Sequence, residues 1–398
     1  MTKIILKKGR DESLRRFHPW VFSGAVAQIV GQPSEGDVVG VFAHDGSFLA
    51  YGHYQIGSIA VRILSFAGED VLGPDFWVNM ISKALKVRQA TGLANGLETN
   101  CFRLVHGEGD GLPGLIIDWY DGVCVMQAHS VGMFRSKGAI CEALKSVFGE
   151  RLKAVYDKSS GTAPFKAGLD LVDGYLYKAE GFSDDEQVVL ENGNKFFVNW
   201  TEGQKTGFFL DQRENRALVG RYSSGRNVLN LFCYTGGFSV YALRGGALRV
   251  DSVDSSKKAV EMVSRNMSLN GYGSDLHEDI CADAIDFLRQ VPEDKYDLMI
   301  VDPPAFAKHR GALNNALRAY QRLNAAAISK VAPGGLVFTF SCSQVVDKEA
   351  FALAVFSAAA QTGRSVRILD RLNQPSDHSV NIYHPEGEYL KGLLLYVE

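Results

Sequence analysis

The sequence predicts an α/β protein that ends in a Rossmann-like domain and begins with a β-rich domain. Three observations lead to this prediction. Apolar strand-like runs alternate with helical patterns from about residue 210 onward, which is typical of a parallel sheet. The first 72 residues instead hold short strand-like runs broken by glycine turns. A glycine pair, Gly236 and Gly237, follows one apolar run, and Asp254 lies about twenty positions further on, as in nucleotide-binding βαβ units.

Length and composition narrow the class of protein. A chain of 398 residues exceeds the usual size of one domain and predicts two or three. The net charge of −3 means that affinity for nucleic acid must come from local patches. The six cysteines include no C-x-x-C pair, which favours a reducing compartment. With no apolar signal core and no uncharged run long enough to cross a bilayer, we expect a cytoplasmic protein without a membrane partner.

The N-terminal region reads as strands at residues 2–7, 38–43, 48–54 and 59–64. A basic cluster that includes Lys8, Arg10 and Arg16 leads directly to Trp20. Cations beside exposed aromatic rings suit an RNA surface, where they meet phosphates and bases. A solvated charge run followed by a core tryptophan is the alternative that these residues leave open. The same β-rich region is also a candidate for self-association into a homodimer.

The central region alternates helices and strands. The pattern predicts helices at residues 76–91 and 134–148, strands at 102–106, 114–120, 123–129 and 154–158, and a hairpin formed by 190–199 and 207–210. The glycine-rich stretch at residues 107–114 lacks the lysine and the helix of a phosphate loop, so we interpret it as a turn between strands.

The glycine turn of the C-terminal region predicts a nucleoside site. The run at residues 228–232 reads as a buried strand, the helix after Gly237 ends at residues 245–246, and a second strand at 248–253 delivers Asp254. The pyrophosphate fingerprint G-x-G-x-x-G is absent, so the expected ligand is a nucleoside without phosphates, and S-adenosylmethionine is the candidate. Glycines placed only for packing remain the alternative.

Further acidic residues and a cysteine follow later strands. A helix at residues 257–270 and a strand at 275–278 precede Asp283, a strand at 296–301 ends in Asp302, and a strand at 335–340 precedes Cys342. Ligands of open parallel sheets bind beyond the carboxyl ends of the strands, so we expect these side chains to share one edge with Asp254.

The residue types at this edge indicate methyl transfer to a base. Asp302 followed by Pro303 and Pro304 makes a stiff wall with a fixed acceptor, suited to a planar nucleobase. A Cys342 thiolate could add to C6 of cytosine and make C5 nucleophilic. A buried apolar role for Cys342 is the alternative, and Cys233 is a rival thiol.

Several motifs together resemble one known family, that of ribosomal RNA large subunit methyltransferase I. They are HPWVFSGAV (18–26), RLVHGEGDGLPGLIIDWY (103–120), FFLDQRENR (208–216), NLFCYTGGFSVYAL (230–243), SVDSS (252–256), VDPPAFAK (301–308) and FSCS (340–343). The resemblance covers essentially the whole chain. It implies a PUA domain at residues 1–72, a central α/β domain at 73–190, and a class I methyltransferase domain at 191–398 that forms 5-methylcytosine in 23S rRNA with S-adenosylmethionine as methyl donor. It also favours RNA contact by the basic N-terminal cluster.

The resemblance also assigns roles to individual residues. Cys342 would be the nucleophile and Asp302 a second catalytic group. The implied cofactor residues are Asp211 and Arg213 at the methionine end, Tyr234, Thr235, Gly236 and Gly237 along the cofactor, Asp254 at the ribose, Asp283 at the adenine amino group, and Asp302. The implied substrate residues are Pro303, Pro304, Lys308, Lys8, Arg10, Arg16 and Trp20. Lys308 is equally well explained as a solvated side chain.

The sequence departs from related enzymes at one position, and two other functions remain alternatives. Many RNA 5-methylcytosine enzymes carry a second cysteine where this chain has Pro304, which puts that thiol's role in product release in doubt. A proline-rich acidic loop also suits amino-group methylation of guanine or adenine, and a third reading is a non-enzymatic RNA-binding assembly factor.

Overall fold

In the computed structural model, which describes residues 2–66, 73–164, 167–307 and 309–398, the chain folds into two compact units. The first consists of Met1–Val189, Val198–Leu210 and Ser376–Gly387. The second consists of Leu190–Phe197, Asp211–Pro375 and Glu388–Glu398. The three-domain division expected from the sequence stays a prediction, and its first boundary falls beside residues 67–72, which lie outside the described residues.

The N-terminal sheet follows the glycine-punctuated pattern of the sequence. Its elements are β1 (Lys3–Leu6), α1 (Glu12–Arg15), β2 (Trp20–Phe22), β3 (Val26–Val30), β4 (Val38–Phe42), β5 (Phe48–Tyr54) and β6 (Ile59–Ser65). The strand order is β2-β6-β5-β4-β1-β3. Alternating residues such as Ile4, Val39 and Val61 are fully buried and form its core. The sequence pattern missed β2, which is very short, and β3, whose side chains are mostly exposed.

A second sheet in the same unit contains the central strands. Its elements are α2 (Pro74–Ala90), β7 (Cys101–His106), β8 (Leu115–Tyr120), β9 (Val123–Ala128), α3 (Val131–Arg135), α4 (Lys137–Phe148), β10 (Ala154–Asp157) and β11 (Gly174–Lys178), with strand order β11-β10-β9-β8-β7. The glycine-rich stretch after β7 is a turn within the β7–β8 hairpin, as predicted. The helix expected at 134–148 is confirmed from Lys137 onward as α4, but its first residues are wrong. The chain breaks at Ser136, and the residues before it form the separate helix α3, which is capped by the Ser130 hydroxyl.

The predicted hairpin of residues 190–199 with 207–210 is also wrong. The two strands that pair are β12 (Glu186–Glu191) and β13 (Asn194–Asn199). Asn192 and Gly193 between them have φ of 50° and 73°, the left-handed values of a two-residue type I′ turn. The Asn-Gly pair was therefore the hairpin signal that the sequence interpretation overlooked.

The second unit is a doubly wound sheet. Its elements are α5 (Arg213–Tyr222), β14 (Asn227–Leu231), α6 (Gly237–Arg244), β15 (Arg249–Asp254), α7 (Lys257–Leu269), β16 (His277–Cys281), α8 (Ala284–Gln290), β17 (Tyr296–Val301), α9 (Leu313–Lys330), β18 (Val331–Ser341), α10 (Lys348–Thr362), β19 (Val366–Asn373) and β20 (Lys391–Val397). The order is β16-β15-β14-β17-β18-β20-β19. The strands from β16 to β18 are parallel, whereas β20 is antiparallel to both neighbours. The central strands are continuous apolar runs because helices cover both faces.

None of the described helices combines the length and the hydropathy that a membrane crossing needs.

Candidate active site

The carboxyl ends of the parallel strands bring the predicted residues to one edge of the sheet. Asp254 is the last residue of β15, and Asp283 follows β16 by two positions. Asp302 comes directly after β17, and Cys342 directly after β18. The parallel registers of these strands put their carboxyl ends side by side, which confirms the shared edge that the sequence predicted.

A tight turn after β14 connects this edge to α6. Phe232 and Tyr234 have φ of 57° and 47°, a conformation that bulky residues rarely adopt. The turn is tied to β15 by two backbone groups: the Tyr234 N–H donates to Asp254 Oδ2 (2.9 Å) and the Cys233 N–H to the Val253 carbonyl (3.0 Å). Asp254 thus holds the turn at the place expected for the cofactor.

The glycines of this turn also have a packing role. Gly236 has φ of +80°, and a Cβ there would lie 2.9 Å from Val263 Cγ1 of α7. A Cβ on Gly237 would lie 3.0 Å from Arg216 Cδ of α5. The packing function that the residues alone left open is therefore real, and it brings the turn close to both helices.

Two of the predicted cofactor residues have a buried oxygen atom without a partner among the described residues. These atoms are Thr235 Oγ1 and Asp211 Oδ1. Asp211 Oδ2 accepts a hydrogen bond from the Tyr389 hydroxyl (2.7 Å), which fixes the carboxylate. Buried polar atoms normally find partners, so both oxygens fit a ligand that brings donors, such as the ammonium or hydroxyl groups of S-adenosylmethionine.

The other predicted cofactor residues have partners within the fold. Asp254 Oδ1 accepts from the Ser256 N–H (2.9 Å). Asp283 is the N-cap of α8, where its Oδ1 accepts from the N–H groups of Ile285 (2.9 Å) and Asp286 (3.0 Å). A carboxylate oxygen can accept more than one hydrogen bond, so both residues keep capacity for a ligand. Arg213 begins α5, is fully buried, and lies 3.3 Å from Glu214 through its Nε.

Asp302 has an unusual electrostatic environment. Burial, with the negative charge of Asp211 as the second cause, raises the pKa of its carboxyl to about 7. Gln212 Nε2 donates to Asp302 Oδ2 (3.0 Å), and Asn215 orients that amide by donating to Gln212 Oε1 (2.6 Å). Asp302 is thus poised to exist as a neutral acid near neutral pH. Pro303 after it is buried and Pro304 is exposed, whereas Lys308 lies outside the described residues.

Cys342 is partly exposed in a turn whose flanks are fixed. The Ser341 hydroxyl donates to Tyr320 Oη (2.9 Å), and the Ser343 hydroxyl donates to the Ala307 carbonyl (2.6 Å). Burial is the main reason that the pKa of Tyr320 rises to about 12, and the charges of Cys342 and Asp302 both contribute. The two predicted catalytic groups therefore act on the same hydroxyl of α9.

The rival thiol, Cys233, is buried, whereas Cys342 is partly exposed. The burial of Cys233, together with the charge of Asp254, raises the pKa of its thiol well above the ordinary value. A thiol in that state is a poor nucleophile, so Cys342 is the better candidate.

The basic residues of the N-terminal unit lie on its surface. Lys8, Arg10 and Arg16 are exposed, and Arg16 is paired with Glu12. Trp20 is half-buried: its Nε1 donates to Glu108 (2.9 Å), and its ring meets that of His384 edge-on at 4.3 Å. Trp20 thus packs within the N-terminal unit, as the core alternative expects, and it also keeps a partly exposed surface.

Sequence reasoning missed four residues that shape this edge of the second unit. They are Gln212, Tyr320, Tyr389 and Lys391. Gln212 lies inside the FFLDQRENR motif, and its position between Asp211 and Arg213 was a usable signal. The other three come from α9 and from the segment around β20, whose approach to this edge depends on antiparallel pairing late in the chain.

Comparison with known proteins shows the family to which the chain belongs. Residues 102–394 match the family described as S-adenosylmethionine-dependent methyltransferase, and residues 4–66 match a PUA-like domain. Ribosomal RNA large subunit methyltransferase I of Shewanella amazonensis is 40% identical over 395 residues, with 98% of each chain covered. The protein of the same name from Aeromonas hydrophila is 39% identical, with 99% of each chain covered.

Solved structures share the fold. A methyltransferase in complex with SAH has a TM-score of 0.85 at 23% identity, and a SAM-dependent methyltransferase from Streptococcus mutans has a TM-score of 0.84 at 23% identity; both comparisons cover 100% of each chain. The predicted fold class, the PUA-like N-terminal domain and S-adenosylmethionine as cofactor are thereby confirmed. The chain belongs to the ribosomal RNA large subunit methyltransferase I family and is an S-adenosylmethionine-dependent methyltransferase.

Proposed function

We propose that this protein transfers a methyl group to C5 of a cytosine in 23S rRNA, with Cys342 as the covalent nucleophile. The observation that carries the proposal is the pairing of a partly exposed thiol with an acid of pKa about 7 at the same sheet edge as the cofactor turn. The names of the relatives support large-subunit ribosomal RNA as the substrate, and the PUA-like domain supports an RNA partner.

The chemistry follows from the nature of the cytosine ring. The Cys342 thiolate adds to C6, and the electron pair of the C5–C6 bond becomes available at C5. Bound S-adenosylmethionine supplies an electrophilic methyl group, so the C5–CH₃ bond forms as the sulfonium–CH₃ bond breaks. A base then removes the C5 proton, and the C6–S bond breaks, which restores the aromatic ring and returns the thiolate.

Asp302 assists the addition step. As a neutral acid it donates a hydrogen bond to N3, which withdraws electron density from C6 while the thiolate attacks. Gln212 keeps one carboxyl oxygen engaged at 3.0 Å, which orients the other toward the base. Pro303 and Pro304 keep this loop stiff, and Lys308 contacts a phosphate.

The cofactor lies along the turn after β14 in this proposal. Thr235 and Asp211 use their unpartnered buried oxygens, and Arg213 lies at the methionine end with Asp211. Tyr234, Gly236 and Gly237 line the cofactor, and Asp302 borders it. Asp254 accepts from the ribose hydroxyls, and Asp283 accepts from the adenine amino group.

The RNA is held by the exposed cations of the N-terminal unit. Lys8, Arg10 and Arg16 meet phosphates, and the exposed part of Trp20 stacks on a base. A ribosomal RNA substrate agrees with the cytoplasmic location that the cysteine content predicts. Homodimer formation remains a prediction, tested by light scattering of the purified chain.

Replacing the nucleophile tests the proposal directly. Cys342→Ala should abolish 5-methylcytosine formation on 23S rRNA isolated from cells that lack this protein, since C5 becomes nucleophilic only after the thiolate has added to C6. Product is mapped by mass spectrometry of RNA fragments, and calorimetry should show an S-adenosylmethionine affinity within about twofold of wild type. Cys281→Ser is the matched control, because Cys281 is an exposed thiol at the end of β16 and its loss should leave product formation unchanged.

Other outcomes of this experiment would point elsewhere. Wild-type turnover by Cys342→Ala would contradict the covalent mechanism. A methylated guanine or adenine amino group as product would favour the N-methyltransferase alternative. RNA binding without any binding of S-adenosylmethionine would favour an assembly factor.

A further inference from the structure

Lys391 is a buried lysine at the nucleophile end of the sheet. It is the first residue of β20 and pairs with Ser341, the residue directly before Cys342. Its side chain is 6% exposed, which is rare for lysine. A position this costly for a cation indicates a specific task.

The ammonium group fastens the turn behind Cys342. Lys391 Nζ donates to the carbonyl oxygens of Ser343 (2.6 Å) and Val346 (2.6 Å). The same turn is held from the other side, where the Ser343 hydroxyl donates to the Ala307 carbonyl. The backbone that carries the thiol is therefore fixed by contacts from both sides.

The charge of Lys391 also acts on Cys342. Burial lowers the pKa of Lys391 to about 8, and a negative charge on Cys342 acts in the opposite direction. Interactions of this kind are mutual, so the ammonium stabilises the thiolate as the thiolate stabilises the ammonium. The two carbonyl oxygens that accept hydrogen bonds from Nζ are neutral. They therefore do not cancel the positive charge that acts on the Cys342 thiol.

Other titratable groups surround the pair from several elements. They are Tyr320 on α9, Asp302 after β17, Asp347 and Lys348 at the start of α10, and Glu388 before β20. Lys348 is paired with Glu388, so these two charges largely cancel. Asp347 is engaged as the N-cap of α10, where it accepts from the Ala350 N–H (2.7 Å).

We propose that Lys391 is a positioning residue for Cys342: it clamps the turn behind the thiol and places a fixed positive charge beside it. The inference rests on the proposed function, in which Cys342 attacks the base. An ordinary cysteine is only slightly ionised at neutral pH, and a neighbouring cation increases the reactive thiolate fraction. At neutral pH, below its pKa of about 8, Lys391 is protonated, and it keeps that proton while the electron pair of the thiolate sulfur forms the bond to C6.

Alkylation of Cys342 tests the coupling without RNA or cofactor. The full chain carrying Cys281→Ser, which removes the exposed thiol, is treated with iodoacetamide from about pH 6 to about pH 10, and modified Cys342 is quantified by peptide mass spectrometry. Lys391→Met keeps the length of the side chain and removes its charge. This substitution should raise the pH midpoint of Cys342 alkylation by about one unit and slow alkylation at pH 7 about tenfold.

Two matched variants separate charge from packing. Lys391→Arg keeps the charge and should stay within about threefold of the parent rate at pH 7. Lys348→Met removes a neighbouring charge that is already paired, and its midpoint should move by less than about 0.3 unit. A folded Lys391→Met variant with an unchanged midpoint would overturn the inference, and so would an equal shift in Lys348→Met.

A reciprocal measurement covers the case in which Lys391→Met does not fold. The titration of Lys391 is followed by NMR with ¹³C-labelled lysine in the wild type and in Cys342→Ser. Its midpoint should fall in Cys342→Ser, because the thiolate charge is lost. An unchanged midpoint would contradict the coupling.

Failure of the inference is distinct from failure of the proposed function. Methylation by Cys342→Ala would remove the nucleophile assignment, yet the alkylation profile would still report the pairing of Lys391 with the thiol. Loss of methylation in Cys342→Ala with unchanged alkylation in Lys391→Met would leave the nucleophile in place and reject the positioning role.

Discussion

At the scale of single residues, the carboxyl groups of Asp302 and Asp211 lie in different environments. Burial and the charge of Asp211 raise the pKa of Asp302 to about 7. Asp211 is held by the Tyr389 hydroxyl and leaves one buried oxygen without a partner among the described residues. Carboxyl groups whose environments differ in this way typically separate into an acid and a charged ligand group.

Asp302→Asn should be about 100-fold slower in methyl transfer, because the amide cannot act as an acid toward N3. The substitution keeps size and shape, so the affinity for S-adenosylmethionine should change little. Single-turnover rates on 23S rRNA measure the effect. A rate within threefold of wild type would remove Asp302 from the chemistry.

The raised pKa of Asp302 also makes stability depend on pH. Between about pH 4 and pH 7 the folded state holds a proton on this group that the unfolded state has lost, so the contribution of Asp302 to stability falls as pH rises through this window. Asn does not titrate, so wild type should lose about 3 kcal/mol relative to Asp302→Asn over that range. Urea unfolding at a series of pH values checks the difference. A constant difference would show that the pKa is not raised.

At the scale of elements, the turn after β14 is where the backbone is most constrained. Phe232, Tyr234 and Gly236 all have positive φ. Such conformations persist only where the surroundings hold them, and here the hydrogen bond from Tyr234 to Asp254 does so. The turn proposed to bind the cofactor is thus shaped by Asp254 of β15, which comes twenty residues later.

Gly236→Ala should destabilise the protein by about 2 kcal/mol, half from the left-handed backbone and half from contact with Val263. Gly225→Ala is the matched control, since Gly225 has φ of +71° and nothing lies within 4 Å of its Cβ position. We expect about 1 kcal/mol for the control. Chemical denaturation gives both values, and equal losses would mean that packing against α7 is unimportant.

At the scale of the whole molecule, the topology explains why the site lies where it does. The strand order reverses direction around β14, and both flanking crossovers leave their loops at the carboxyl edge. A ligand in the crevice there would lie beside the carboxyl ends of β15, β16, β17 and β18. Binding should therefore stabilise the fold as a unit rather than one loop.

S-adenosylmethionine at a hundred times its Kd should raise the free energy of unfolding by about 2.7 kcal/mol. Asp211→Asn should need at least about tenfold more ligand for the same shift, because it weakens the acceptor for the methionine end. Thermal unfolding at increasing ligand concentration measures both. The absence of any shift in wild type would contradict the cofactor site.

The local pattern was sufficient for the parallel core and for most of the site. Apolar runs mark β14, β17 and β18 because both of their faces are buried, and turn residues mark their ends. The residues that follow those runs, Asp302 and Cys342, were therefore predictable as neighbours. The Asn192-Gly193 hairpin could have been predicted by the same local logic.

Other features depend on contacts between distant parts of the chain. The pairing of β20 with β18 brings Lys391 beside the turn that carries Cys342, and no local pattern encodes that register. The pKa of Asp302 depends on burial and on Asp211, about ninety positions away in sequence. Amino-acid order determines which groups are present and which strands exist, whereas electrostatic environments arise only when the packed structure excludes water and brings distant charges together.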